Sequence, residues 1–465
     1  MPKKYHIHVQ PAPPRFTTVG KFCIIDMYED CARGCRNCVK RKCIYKIHEK
    51  EAEFVDHLDR PVEFMNECMN CLVCVQNCTR GALTRAVNPE FKWLGDEYWK
   101  PELIDSIWRQ AATGNIPVSG AGYGGPFSGP GFDSMWTDMS EIVRPTRDGI
   151  HGREYISTSV EIGAKLSYLS FDSVNEIMVE PPPLVEIPVP FLIERPPFGD
   201  FSENIVEAMA MAAGKLETFF ILDAKDITER ISKYKDSLIP GVGLNDMEKY
   251  AGIIRGSKMA EITDCPDVMR GVRRIKEIGG DIVVIIRMEL TNDIEERVSV
   301  LAGQGAEALL LRADIHGNVG NGNGVFIKDV FRNIHNRLVR ENIRDRVTLI
   351  ASGGIAMPEH MAKVIICGAD CVSLGLPFLI AMECRMCRNC EKGLECPVKM
   401  AEIPPAFGAA RIMNLSAAWR NQLLEVLGAM GLREMRRLRG EFGRAMFHED
   451  LERDTFIKLF SKKVS

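Results

Sequence analysis

The sequence predicts an α/β protein: a (β/α)8 TIM barrel, preceded by a cysteine-rich module and followed by a helical C-terminal tail. Three observations carry this expectation. From about residue 184 to 400, short β-branched apolar runs alternate with amphipathic stretches. Glycine loops follow the last two of those runs, and twelve of the sixteen cysteines fall into three tight clusters.

The clearest strands are Asp281–Met288 (DIVVIIRM), Glu307–Leu311, Val347–Ala351 and Asp370–Leu374. Runs that are apolar on both faces suit parallel strands covered by helices. Weaker runs near Leu184–Ile193, Thr218–Leu222, Leu238–Ile239 and Lys258–Ile262 bring the total to eight. Between them lie helical patterns, with Val268, Val272, Ile275 and Ile278 on one face and Ile294, Val298 and Leu301 on another. Pro358 suits the first turn of a helix carrying Met361, Val364 and Ile365 inward.

Two loops then favour the barrel over a doubly wound sheet. Ala351–Ile355 (ASGGI) and Leu374–Pro377 (LGLP) each follow a buried strand and precede a helix. Backbone N–H groups around Ser352, Gly353, Gly354, Gly375 and Leu376 could approach phosphate oxygens there, as TIM barrels commonly arrange after their last strands. FMN is a natural occupant; tight turns without a ligand are the alternative. Arg287 interrupts an apolar strand, so it needs a partner at the mouth: the flavin ring, or an ion pair with Glu289 or Glu261. Arg312 and Asp314 occupy the matching end of the next strand, ahead of a polar loop, HGNVGNGNG, at His316–Gly324. Arg287 and Asp314 are the catalytic candidates, and Arg287 and Arg312 join the glycine loops as candidate cofactor ligands. Gly241–Gly243 (GVG) lacks the spacing of a dinucleotide fingerprint.

The cysteines point to metal. Cys68, Cys71, Cys74 and Cys78 have the spacing of a bacterial ferredoxin run, in which three cysteines hold one 4Fe–4S cluster and the fourth serves its neighbour. Cys31, Cys35, Cys38 and Cys43 form the complementary set, which predicts a ferredoxin-like module with two 4Fe–4S clusters. The expected grouping is Cys68, Cys71, Cys74 and Cys43 against Cys31, Cys35, Cys38 and Cys78. Cys384, Cys387, Cys390 and Cys396 would hold a third 4Fe–4S cluster about ten residues beyond the last glycine loop, beside the barrel mouth. Structural zinc is the alternative, although zinc sites usually pair two CxxC units. Cys23, Cys265, Cys367 and Cys371 read as ordinary residues.

The expected organisation is a ferredoxin-like module at 1–100, a Gly/Pro-rich connector at 101–183, the barrel with the third cluster at 184–400, and a helical segment at 401–465. In the last of these, Leu423, Leu427 and Met430 share a face, while Arg433, Arg436, Arg437 and Arg439 read as a solvated one or a docking site. The net charge of −4 gives no reason to expect a nucleic-acid partner, and no apolar run is long enough to span a bilayer. The N-terminus, MPKKYHIHVQPAPP, lacks a secretory apolar core, so a cytoplasmic location is expected.

Arg344–Gly375 (RDRVTLIASGGIAMPEHMAKVIICGADCVSLG), followed by a cysteine cluster ending in CPV, resembles the FMN-binding synthase domain of glutamate synthase. The closer likeness is to the archaeal-type form, with its N-terminal two-cluster ferredoxin module; Thr146–Val160 and the stretch from Pro196 to Gly214 resemble it too. The resemblance implies FMN at the mouth of a TIM barrel, an Fe–S cluster close to the ring, and reduction of the imine formed from 2-oxoglutarate and ammonia. It also implies ferredoxin or other redox-protein subunits as partners. Ammonia would come from a separate glutaminase subunit, because residue 2 is proline and not a cysteine nucleophile. Three places depart from the family pattern: HGNVGNGNG replaces a GGTGA-like loop, PGVGL at Pro240–Leu244 lacks a glutamate, and Arg287 stands for a lysine. These leave a second reading open, an electron-transfer subunit of a larger redox complex that touches no 2-oxo acid.

Overall fold

In this computed structural model the described residues are 5–16, 19–26, 43–44, 68, 71–116, 131–137, 155–166, 170–172, 174, 178, 181–199, 201–320 and 324–457. Eight parallel strands close into a barrel. In chain order they are Phe191–Glu194, Phe220–Asp223, Leu238–Val242, Met259–Thr263, Val283–Glu289, Ala308–Arg312, Thr348–Ser352 and Cys371–Leu374, here called the first to eighth strands. The eighth strand pairs with the first and closes the ring. Seven of the expected strands lie where the apolar runs put them. The first is a correction: Leu184–Ile193 is two strands, not one. Leu184–Ile187 pairs antiparallel with Val160–Gly163 outside the barrel, and only Phe191–Glu194 enters it. The physical reason is Pro188 and Pro190, which have no N–H to give to a ladder and so break the run.

Barrel strands are buried on both faces, as Val283, Val284, Ile285 and Ile286 illustrate. Each such side chain contributes about 1.5–3 kcal/mol of transfer free energy. The helices between the strands bury the faces read from sequence: Val268, Val272 and Ile275, then Ile294, Val298 and Leu301, then Met361, Val364 and Ile365 behind Pro358. Register matters most for function. Asp223 lies opposite Gly241, Gly241 opposite Glu261, Arg287 opposite Thr263, Arg312 opposite Ser352, and Ser352 opposite Ser373. One layer of polar side chains therefore rims the C-terminal end of the barrel.

The stretch expected to be a connector begins instead with a helix, Pro101–Thr113, whose Leu103, Ile104, Ile107 and Trp108 belong to the main core. The glycine-rich centre of that stretch, 120–132, falls largely outside the described residues. The tail's long helix, Pro405–Ala429, lies against Pro101–Thr113 and the barrel helix Glu203–Lys215. Its Arg411 is fully buried and donates to the carbonyls of Ala12, Ala381 and Trp108 at 2.7, 2.5 and 3.2 Å. Burial pulls the Arg411 pKa down to about 10. A buried guanidinium is tolerated only when its donors are satisfied, so this arginine ties the N-terminal segment, the early helix and the barrel together. Leu423, Leu427 and Met430 are buried, as their spacing implied. The arginines beyond them divide: Arg436 and Arg437 are exposed against Glu434, whereas Arg439 pairs with Asp370 and Asp345.

Candidate cofactor site at the barrel mouth

A cavity of about 480 Å³ opens at the C-terminal end of the barrel. Ser352, Gly353, Gly354, Gly375, Leu376, Arg312 and Asp314, seven of the eight non-cysteine residues picked out from sequence, all line it. Gly353 has φ +96°, and a side chain there would sit 2.5 Å from the Asp314 carbonyl oxygen. A Cβ on Gly375 would sit 2.9 Å from the Glu194 carbonyl oxygen. These glycines thus let neighbouring loops pack closely, which in turn shapes the cavity wall.

Glu194, buried at the end of the first strand, organises the floor. It accepts from Ser352 Oγ at 2.5 Å and from Arg312 Nη2 at 3.3 Å. Burial works against the Arg312 charge, but Glu194, Glu289 and Glu261 outweigh it and hold its pKa above the usual value. Arg195 and Arg388 add positive charge to the lining, while Trp99, Pro197, Phe198 and Ile315 make it apolar elsewhere. Ser373 Oγ is buried on the cavity wall and has no hydrogen-bond partner among the described residues. Asp314 spends one oxygen on its own loop, accepting from the N–H groups of His316 and Asn318 at 2.9 and 2.8 Å.

Arg287 is placed elsewhere. It lines a second, smaller cavity of about 180 Å³ with Asp223, Gly241, Glu261 and Thr263. There it binds Glu261 Oε1 at 2.9 Å and Thr263 Oγ1 at 2.8 Å, which is the ion-pair alternative with Glu261 and not a place in the glycine-loop cavity. The cause is register: Arg287 sits opposite Thr263, and Glu261, two residues earlier, shares the same face.

The third cysteine loop forms part of the first cavity's rim, because Arg388 and Glu391, which stand among its cysteines, line the wall. Cys384 accepts from the Met386 N–H at 3.4 Å. Burial pushes the Cys384 thiol up to about 12, with Cys387, Cys396 and Cys390 adding to the effect. In the N-terminal module, Cys68, Cys74 and Cys78 pack together with Leu83. Burial raises the Cys74 pKa, and neighbouring Cys68 and Cys71 add to it. Backbone N–H groups near Arg80 and Ala82 lower that of Cys78. Cys31, Cys35 and Cys38 lie outside the described residues, and so does any test of the crossed pairing with Cys43.

Backbone strain marks the same loops. Among the described residues the non-glycine residues with positive φ are Leu72, Glu217, Asn342, Glu383, Met386, Arg388 and Lys399. Five of these seven stand beside a clustered cysteine or within three residues of one. Left-handed backbone at non-glycine positions costs about 1–3 kcal/mol each and persists where the surroundings or the function require it.

Sequence reasoning missed a clamp. Asp96 accepts from the Tyr98 and Trp99 N–H groups at 2.9 and 2.8 Å and meets His316 Nε2 at 2.9 Å. Trp99 Nε1 donates to the Ile315 carbonyl at 2.8 Å, and Tyr98 Oη donates to that of Gly354. The end of the cysteine module therefore grips the loops after the sixth and seventh strands. Glu194 and Ser373 were missed as well, and Glu261 was named only as a possible partner of Arg287; the strand register brings all three to the mouth.

Asp133, Glu359 and His360 also bring ligand atoms within 4.8 Å of one another. His360 Nδ1 accepts from the Ala356 N–H at 3.2 Å, so this cluster braces the loop after the seventh strand from behind.

An eight-stranded parallel barrel whose last loops frame a cavity at the C-terminal face defines a TIM-barrel protein. Residues 221–433 match the family model described as the conserved region in glutamate synthase. The chain is 24% identical to the archaeal-type glutamate synthase [NADPH] of Dehalococcoides mccartyi, over 90% of this chain and 93% of that one. It is 24% identical to the archaeal glutamate synthase [NADPH] of Archaeoglobus fulgidus over 94% of each. Among solved structures, a mutant flavocytochrome b2 with benzoylformate aligns over 90% of this chain and 93% of its own at 13% identity, with a TM-score of 0.46. The likeness to archaeal-type glutamate synthases read from the sequence extends along most of the chain. No helix among the described residues is long and apolar enough to cross a membrane.

Proposed function

We propose that this protein is an FMN- and iron–sulfur-dependent oxidoreductase of the glutamate synthase type, passing electrons from three 4Fe–4S clusters to FMN and then to an imine or 2-oxo acid acceptor. The observation that carries the reading is adjacency: the loop bearing Cys384, Cys387, Cys390 and Cys396 shares a wall with the glycine-loop cavity. The cavity fits the flavin in size, falling within the roughly 300–1,000 Å³ of ligand sites. Its donor set fits as well. Arg195, Arg312 and Arg388 suit a phosphate, the apolar patch of Trp99 and Phe198 suits a ring, and Ser373 Oγ is a buried polar atom in want of a partner. Bound there, FMN supplies the junction between one-electron carriers and two-electron organic chemistry. The protein's own residues orient it: Glu194 fixes Arg312 and Ser352, and the Asp96–Trp99 clamp holds the two loops that frame it.

Four thiols per loop, with N–H donation to sulfur at Cys384, fit a cluster better than a catalytic thiol, which needs a lowered pKa. The curated relatives carry NADPH in their names, so a nicotinamide-linked or ferredoxin-type redox subunit is the electron-donating partner to test, and a separate glutaminase subunit is the candidate ammonia source. The engagement of Arg287 with Glu261 is what favours the second reading, an electron-transfer subunit without this substrate chemistry. One assay separates them: purified protein given a reduced donor, ammonia and 2-oxoglutarate forms glutamate under the first reading and none under the second.

A further inference from the structure

We infer that Glu261, which lines the second cavity, is the proton carrier of the barrel mouth: its carboxyl, one oxygen of which is unpaired among the described residues, delivers a proton to the heteroatom of an acceptor reduced beside it. This inference rests on the proposed two-electron reductase and goes beyond it in naming the residue. Three features of geometry carry it. Glu261 is 1% exposed, and among the described residues its buried Oε2 has no hydrogen-bond partner, although the residue lines an open cavity. Arg287 engages Oε1 alone, because its other nitrogen goes to Thr263, so the arginine does not satisfy the carboxyl in the usual two-pronged way. Gly241, opposite Glu261 in the ladder, leaves a gap: a Cβ there would sit 3.2 Å from Asp223 Oδ1 and 3.5 Å from Glu261 Oε1. A buried oxygen without a partner is costly, and the ion pair with Arg287 uses only the other one.

The charges facing Glu261 come from four strands. Glu194 on the first and Asp223 on the second oppose its ionisation, Gly241 on the third is neutral, and Arg287 on the fifth and Arg312 on the sixth favour it. Lys225, Asp246, Tyr250 and Thr263 complete the cavity wall. Burial dominates, and the carboxyl is pushed up to about 7, where an acid both holds and releases a proton near neutral pH. A flavin bound at the mouth would supply hydride to the carbon of a C=N or C=O bond, whose π pair moves to the heteroatom. The Glu261 O–H bond then breaks and the N–H or O–H bond forms. The carboxylate left behind faces Arg287 and regains a proton from solvent on the Asp223 side, where that side chain is 38% exposed. Arg287 acts here as a positioning residue.

Infrared titration of the protein as purified, without substrate, tests this directly. A protonated-carboxyl band that disappears around pH 7 and is absent from Glu261→Gln is expected, and Arg287→Gln should move its midpoint upward by removing the nearest cation. In turnover, Glu261→Gln should lose about 10²–10⁴-fold in kcat with unchanged flavin content and unchanged flavin reduction. Glu261→Asp, which keeps the acid, should restore part of that rate. A Glu261 carboxyl already ionised at about pH 6, or a Glu261→Gln protein turning over at full rate, overturns the inference. A chain that binds no flavin refutes the functional reading instead, and the infrared band still decides the role of Glu261.

Discussion

The two halves of the barrel mouth are built from different materials. On the side of the sixth, seventh, eighth and first strands, glycine turns, two serine hydroxyls and three arginines surround a cavity of about 480 Å³. On the side of the second to fifth strands, Asp223, Glu261 and Arg287 surround one of about 180 Å³. The first half suits an anion with an aromatic ring; the second suits proton and charge exchange with a small polar molecule. The difference teaches that, under the proposed function, holding a cofactor and handling an acceptor are separable tasks. Two of the three departures from the glutamate synthase pattern, PGVGL at Pro240–Leu244 and Arg287, fall in the second half, while the third, His316–Gly324, follows the sixth strand in the first.

The harshest test of the division is at its rim. Cys384→Ser should remove the third cluster, lowering iron from about twelve to about eight atoms per chain and abolishing electron flow to the flavin. Persistent turnover with intact flavin reduction would break the proposed wire. Next in size, Gly353→Val would drive a side chain into the carbonyls of Ala313 and Asp314, and flavin binding should weaken at least about 100-fold by fluorescence titration. Arg287→Ala, in the other half, should leave flavin content unchanged; if it strips the flavin, the two halves are not separate. Trp99→Ala removes one hydrogen bond and an apolar wall, so flavin affinity should fall about tenfold.

The smallest effect lies away from the mouth. Burial, with Arg344 and Arg439 nearby, pulls the His335 pKa down to about 4. The unfolded chain binds a proton near pH 6.5 that the folded site refuses, so stability should fall as pH drops from about 6.5 to about 4. His335→Asn should flatten that part of a melting-temperature profile.

Much of the first half was legible in the sequence, and for a backbone reason. A glycine pair after a β-branched run and before a proline-started helix reports local geometry, so Gly353, Gly354 and Gly375 could be named without knowing any neighbour. The fifth to eighth strands were legible because burial on both faces leaves uninterrupted apolar runs. The first strand was blurred by Pro188 and Pro190, which end one strand and admit another within a single apolar stretch. Arg287 announced itself as a charge among valines and isoleucines, but choosing between Glu261 and Glu289 required the register between the fourth and fifth strands. Glu194 and Ser373 gave no local signal, because each matters only for what a neighbouring strand brings beside it. Trp99 and Asp96 belong to a segment more than 200 residues from the loops they grip, a separation that no window of sequence spans.

The central claim, that a cysteine-held cluster and a flavin share the barrel mouth, is most directly tested by anaerobic purification followed by analysis of FMN, iron and acid-labile sulfide. The account predicts about one FMN and about twelve iron atoms per chain, with a matching amount of sulfide. About four iron atoms, stoichiometric zinc, or a protein without flavin would contradict it.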